Sequence, residues 1–196
     1  MMNGVIHLVE EVLFPYEDIP TKMRAQPALS QFTGFINEDP QLMQSLTYVG
    51  TDVATQKFTV LAPNDMAVSE SMRINGPNRL NSGDKRSMEL LLKAHILRDE
   101  LKLSDLYREL QNIQTRPGEV PRYARRITLA GTELRFYRIG NETYVSGGFT
   151  FARITPELAN IGATNGIIQH IEAFIGKPGR TVIDTFSTFP HLLKLV

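Results

Sequence analysis

The chain has no cysteine, so disulfide staples, cysteine–zinc sites and thiol catalysis are excluded. The same absence leaves the redox compartment open. Net charge is missing too: 21 Lys and Arg stand against 21 Asp and Glu. That balance argues against a dedicated nucleic-acid binder. Apolar runs such as "GIIQHIEAFI" fall far short of the ~20 residues a membrane-spanning helix needs. No basic segment followed by a long apolar stretch opens the chain, so no signal peptide is visible. The histidines, His7, His95, His170 and His191, are scattered, with no paired helical spacing and no carboxylate cluster beside them. Such scatter speaks against a metal site. No P-loop, Gly-x-Ser-x-Gly elbow or dinucleotide fingerprint occurs. No cofactor and no enzymatic activity are expected.

What the chain does have is a repeat. "NGVIHLVE" from Asn3 and "NGIIQHIE" from Asn165 share Asn, Gly, the Ile at 6 and 168, and the Glu at 10 and 172. Gln26-Pro27-Ala28-Leu29 lines up with Phe189-Pro190-His191-Leu192 at nearly the same offset. Self-similarity at so long a period marks an array of whole domains rather than a solenoid. The expectation is therefore a tail of one repeat over 1–15, a complete domain over 16–178, and a linker with the start of another repeat over 179–196. One domain of roughly 150 residues, in a chain 42% hydrophobic, is enough to build a core.

Residues 21–48 carry helical spacing through Leu29, Phe32, Phe35, Ile36, Leu42, Met43 and Leu46, with Asp39-Pro40 as a break and restart. "KFTVLA" reads as a strand ending at Pro63, after which Asn64 or Asp65 caps a helix. "NGPNRLNSGD" at 75–84 is loop chemistry. "KRSMELLLKAHIL" predicts one amphipathic helix with Met88, Leu91, Leu92 and His95 on one side, and "LSDLYREL" a short helix capped by Ser104. From 125 onward short strands alternate with glycine-containing turns. "NGIIQHIEAFI" fits either helix or strand; its β-branched content and leading Asn-Gly favour a strand. The fold class is α+β, helices first and strands second.

Three blocks then carry a resemblance. "TVLAPNDMAV" (59–68), "LLKAHIL" (91–97) and "NGIIQHIE" (165–172) stand in the order of the three motifs of the fasciclin domain family. The chain resembles that family over roughly residues 20–178. The resemblance implies a helical layer packed on a twisted β-wedge. It also implies an extracellular, secreted or cell-surface adhesion module without enzymatic activity, whose partners are matrix proteins, integrins, glycans or further copies of itself. The motif positions are Asp65, His95, Asn160, Ile161, Asn165 and Gly166. Ala94 replaces the family's Tyr, and Gln169 its closing-block His. Leu158-Ala159-Asn160-Ile161-Gly162 keeps only the Ile of the integrin-binding stretch found in some members, which leaves integrin recognition open.

Plain readings compete with functional ones at these positions. Asp65, after a strand and a proline, reads as a helix cap. His95, beside Leu91 and Leu92, reads as a hydrogen-bonded core histidine. Asn141-Glu142-Thr143 is an N-glycosylation sequon after Gly140. Between 112 and 140, Arg116, Arg122, Arg125, Arg126, Arg135 and Arg138 face only Glu119 and Glu133. They form either a solvated face or a site for sulfated glycans. The favoured function is a multivalent protein-contact module in a tandem array; the alternative is a sulfated-glycan receptor module. Deleting 1–15 is expected to leave the midpoint of chemical denaturation nearly unchanged, whereas deleting 165–175 unfolds the domain. Equal losses would break the proposed boundaries.

Overall fold

Two helix starts are fixed by an aspartate just ahead of a proline. In the computed structural model, which describes residues 17–47, 57–75, 85–112, 123–147 and 150–175, α1 (Ile19–Arg24) follows Asp18. The Asp18 Oδ1 accepts from the Thr21 N–H at 2.9 Å, and Pro20 fills the first turn. A 3-10 turn (Pro27–Leu29) leads into α2 (Ser30–Asn37). Helix α3 (Pro40–Leu46) restarts where Asp39-Pro40 predicts, with Asp39 Oδ1 accepting from Gln41 and Leu42 at 3.1 and 3.0 Å. Each aspartate satisfies helix N–H groups that have no partner within the helix. The apolar faces of these helices turn onto one sheet, burying Ile19, Leu29, Phe32, Ile36, Leu42 and Leu46.

Strand β1 (Phe58–Pro63) is buried throughout. Helix α4 (Asp65–Asn75) is capped by Asn64, whose Oδ1 accepts from Ala67 N–H at 2.8 Å, so Asn64 takes that role and Asp65 another. The long helix expected over 85–97 is shorter. Helix α5 (Lys85–Lys93) ends there, and Ile96–Leu97 form strand β2, paired with Val60 and Thr59 of β1. Periodicity cannot see such a switch, because the pairing that stabilises it comes from residues far away in sequence. Ser104 is a second correction. It lies inside α6 (Leu103–Asn112), and the Leu103 N–H is taken instead by Asn160 Oδ1 at 3.0 Å. The loop reading beyond Asn75, the terminal segments 1–15 and 179–196, Arg116 and Arg122 lie outside the described residues.

The remaining strands are β3 (Ala124–Ile127), β4 (Glu133–Ile139), β5 (Glu142–Gly147), β6 (Thr150–Arg153), β7 (Ile161–Ala163) and β8 (Gly166–Ile171), with a 3-10 turn at Pro156–Leu158. They make two four-stranded sheets, ordered β2-β1-β8-β7 and β3-β4-β5-β6. Strand β8 runs parallel to β1, from Phe58↔Gly166 to Pro63↔Ile171; every other strand pairing among the described residues is antiparallel. Single bridges, Leu97↔Thr128 and Ile154↔Ile171, join the sheets at both ends. Because side chains alternate along a strand, β1 feeds two cores. Val60 and Ala62 meet the helical layer, while Leu61 meets Leu106, Leu134, Phe136 and Ile171 between the sheets and α6.

His95 ties the end of α5 to the end of the domain. It is fully buried; its Nε2 accepts from the Ile175 N–H at 2.9 Å, so Nδ1 carries the proton and donates to the Leu91 carbonyl at 2.9 Å. Its ring packs against Phe174 at 4.4 Å and Phe32 at 5.3 Å. Burial pushes its pKa down from 6.5 to about 4, against a smaller upward pull from the Leu91 carbonyl. Protonation would also set two N–H groups face to face at Ile175. Above pH 6.5 the imidazole is neutral in both folded and unfolded chains and costs nothing. As pH falls from 6.5 toward 4, only the unfolded chain takes the proton, so stability drops by roughly 3 kcal/mol across that window. Urea unfolding at stepped pH is expected to show this slope in the native chain and a shallower one in His95→Gln.

Candidate functional site

Alternation along β4 and β5 determines what the second sheet shows to solvent. Leu134, Phe136 and Val145 point inward to the core, leaving Glu133, Arg135, Tyr137 and Ile139 outside on β4, and Glu142, Tyr144 and Ser146 outside on β5. Cross-strand register then assembles an aromatic row. Tyr123 meets Tyr137 at 5.7 Å, Tyr137 meets Phe151 at 5.7 Å, and Phe151 stacks on Tyr144 at 4.9 Å. Tyr123, Ile127, Ile139 and Phe151 stand 38%, 48%, 51% and 49% exposed, so four large apolar side chains share one solvent-facing sheet surface. Clustering of this kind marks an interaction surface more than scattered exposure does.

Ion pairs flank the row. Glu133 holds Arg125 at 2.7 Å and Arg135 at 2.8 Å, and the Arg135 guanidinium lies 4.7 Å from the Tyr123 ring centre. On the other flank Arg153 bonds Glu142 at 2.9 Å and Glu172 at 2.8 Å, while the Tyr144 hydroxyl donates to Glu142 at 2.6 Å. The hydrogen bond from Arg135 is the main force holding Glu133 below the usual carboxylate range, and the bond to Glu142 raises the Tyr144 phenol. Three arginines thus meet three glutamates, and the flanks carry no net charge.

The arginines singled out in the sequence do not gather into one cationic patch among the described residues. Arg125 and Arg135 face outward. Arg126 and Arg138 fall on the opposite side, against α6. Arg126 reaches Glu109 at 2.5 Å and Asp99 at 3.2 Å, and that hydrogen bond keeps the Glu109 carboxyl depressed. Arg138 lies 4.7 Å from the Tyr107 ring centre and donates to Asn141 Oδ1 at 3.4 Å.

The motif positions have structural employment. Asp65 spans helices, its Oδ1 accepting from Gln31 N–H at 2.9 Å and Oδ2 from the Ser30 hydroxyl at 2.5 Å, at the start of α2. Asn160 sits at φ 56°, and its Oδ1 takes both Leu103 N–H and Gln169 Nε2. Its own N–H donates to Gln169 Oε1 at 2.8 Å. Ile161 opens β7 and packs on the first core; Ala94 is buried. Asn165 is buried, accepting from Ile19 N–H at 3.0 Å and donating to the Leu46 carbonyl. A Cβ on Gly166, at φ +151°, would lie 1.9 Å from the Phe58 carbonyl oxygen. The aromatic row escaped the sequence reading, although the shared parity of Arg135 and Tyr137 on β4 was a signal for it.

A profile of the fasciclin domain matches residues 27–177. The chain belongs to the fasciclin domain family. It is 29% identical over 207 residues to Fasciclin-1 of Schistocerca americana, covering 98% of this chain and 27% of that protein. It is 23% identical over 197 residues to Fasciclin-1 of Drosophila melanogaster, covering 97% of this chain and 28% of that one. The chain therefore spans about a quarter of the length of these curated relatives. A solved FAS1 domain pair from the insect cell adhesion molecule fasciclin I superposes with a TM-score of 0.57 at 23% identity, over 86% of this chain and 51% of that one. The fasciclin fold, α+β with two sheets, is thereby established.

Phe136 on the inner face of β4 and Phe151 on the outer face of β6 are expected to separate core from surface in this fasciclin domain. Phe136→Ala removes a fully buried ring and is expected to cost about 3–5 kcal/mol. Phe151→Ser, at a half-exposed position, is expected to cost within about 1 kcal/mol. Equilibrium denaturation of both variants measures the contrast.

Proposed function

We propose that this fasciclin domain is an extracellular cell-adhesion module that holds a cell-surface or matrix protein against the outer face of its second sheet. The observation that carries the reading is the aromatic row from Tyr123 to Tyr144, left uncovered with Ile127 and Ile139 beside it. Aromatic rings already packed against one another lose little freedom when a partner lands on them. Balanced flanking charges suit a protein partner of mixed charge, a second copy of the domain included. The description of the FAS1 domain pair as part of an insect cell adhesion molecule supports the same direction.

The sulfated-glycan alternative draws less support, since Arg125, Arg126 and Arg135 are each bound to carboxylates and Arg138 lies on a tyrosine ring. Steep weakening with salt would favour it over an apolar contact.

A single sheet face of this kind gives a modest contact, and repetition multiplies it. Tandem copies hold the next contact at high effective concentration, raising avidity over single-site affinity by ~10²–10⁴ where geometry lets both engage. Cells plated under shear on the single domain and on a two-copy tandem fusion test this. The tandem is expected to retain cells at far lower coating density, and the pair Tyr137→Ser and Phe151→Ser to release them. Retention unaffected by those substitutions would remove the outer face as the contact; equal retention by one copy and two would remove multivalency.

A further inference from the structure

We propose that Asn141 carries an N-linked glycan, and that Thr143 occupies the core as the hydroxyl residue of its acceptor triplet rather than for the fold. Asn141-Glu142-Thr143 is the one Asn-x-Ser/Thr triplet in the sequence. Asn141 is exposed, at the second position of the two-residue turn that joins β4 to β5, with Gly140 at φ +63° before it. Positive φ at the first turn residue alone is the pattern of a type II′ hairpin turn, which Gly-Asn suits. The turn thus leaves Asn141 exposed, with its Oδ1 3.4 Å from the Arg138 guanidinium.

Thr143 goes the other way. Opposite Arg138 across the hairpin, it is 1% exposed, and its Oγ1 has no hydrogen-bond partner among the described residues. A buried hydroxyl without a partner opposes folding. Valine has nearly the same shape and the same β-branched preference for a strand, without the hydroxyl. The Thr143 hydroxyl makes no hydrogen bond among the described residues, even to Arg138 Nε across the hairpin, which is also unpartnered there; the acceptor triplet does use it, because its third residue must bear a hydroxyl.

The geometry also orders events. In the folded chain the Thr143 hydroxyl is sealed away, so transfer precedes the pairing of β5 into the sheet. The sugar donor is a lipid-pyrophosphate-linked oligosaccharide. Asn141 Nδ2 bonds to the anomeric carbon, the bond from that carbon to the pyrophosphate oxygen breaks, and lipid pyrophosphate leaves with the electron pair while Nδ2 gives up one proton. Oδ1 remains an acceptor, so the Arg138 contact at 3.4 Å survives modification. The glycan then stands at the β4–β5 turn, next to Arg138.

This proposal rests on the extracellular reading above, and a supplied signal peptide makes its test independent of that reading. The full chain is exported from insect cells and its mass measured before and after peptide-N-glycosidase treatment. The exported chain is expected to lose a glycan mass, with Asn141 converted to Asp; Thr143→Ser keeps the modification and Thr143→Val abolishes it. Made in bacteria without glycan, Thr143→Val is expected to melt at or above the temperature of the native chain. An unmodified Asn141 in the exported chain overturns the site. A Thr143→Val that melts several degrees lower, or fails to fold, overturns the assigned role of the hydroxyl.

Discussion

The side chain of Asn165 is the joint on which the domain depends. Buried at the head of β8, its amide accepts from the first residue of α1 and donates to the last carbonyl of α3, groups that helix geometry leaves without partners. One residue thus clamps two helix ends onto a strand more than a hundred residues away in sequence. Gly166 makes the clamp possible by letting β8 start flush against Phe58, where any Cβ would collide with backbone. A buried amide satisfied on both sides is stabilising; removing it would strand the Ile19 N–H and the Leu46 carbonyl in an apolar layer.

From that joint the rest follows along β8. Ile168 and His170 lean with Val60 and Ala62 toward the helices, while Gln169 and Ile171 lean toward the second core. Gln169 spends its amide on Asn160 and the Leu101 carbonyl, which fixes the start of β7 and, through Asn160, the start of α6. Just past β8, Phe174 and Ile175 close over His95. The second sheet hangs from this frame through Ile154↔Ile171 and Leu97↔Thr128, with one face filled by the core and α6. Among the described residues no element packs on its other face, where Tyr123, Ile127, Ile139 and Phe151 stand exposed.

Local chemistry was legible in the sequence wherever the cause was local. Asp39-Pro40 restarts a helix, Asn64 caps one, and the alternation through "TELRFYRIG" and "ETYVSGG" gives two strands, all within a few residues of the signal. The misses share a different cause. Ile96 and Leu97 leave helical spacing because β1 pairs with them; Asp65 serves α2, and Asn160 serves α6, across gaps no spacing rule spans. The arginine-rich stretch divides for a simpler reason. Neighbours such as Arg125 and Arg126 sit close in sequence but on opposite sides of a strand, so a charge count along the chain adds together groups that the sheet separates.

That separation bears directly on function. An antiparallel sheet with one packed face offers the other as a platform of fixed spacing, and here the platform combines apolar rings with charges already neutralised by their neighbours. Each pair of opposite charges lowers the pull on stray polyanions while keeping the surface hydrated, so the rings can stand exposed without a large single-sign field around them. A partner gains by covering the rings and must compete for the ion pairs only at the rim, where such bonds are weak. A contact on this face, as proposed, would be set by shape and apolar area rather than by charge. Under the proposed function, a contact of that kind would stay modest for one domain, and only repetition of the domain would make it adhesive by avidity.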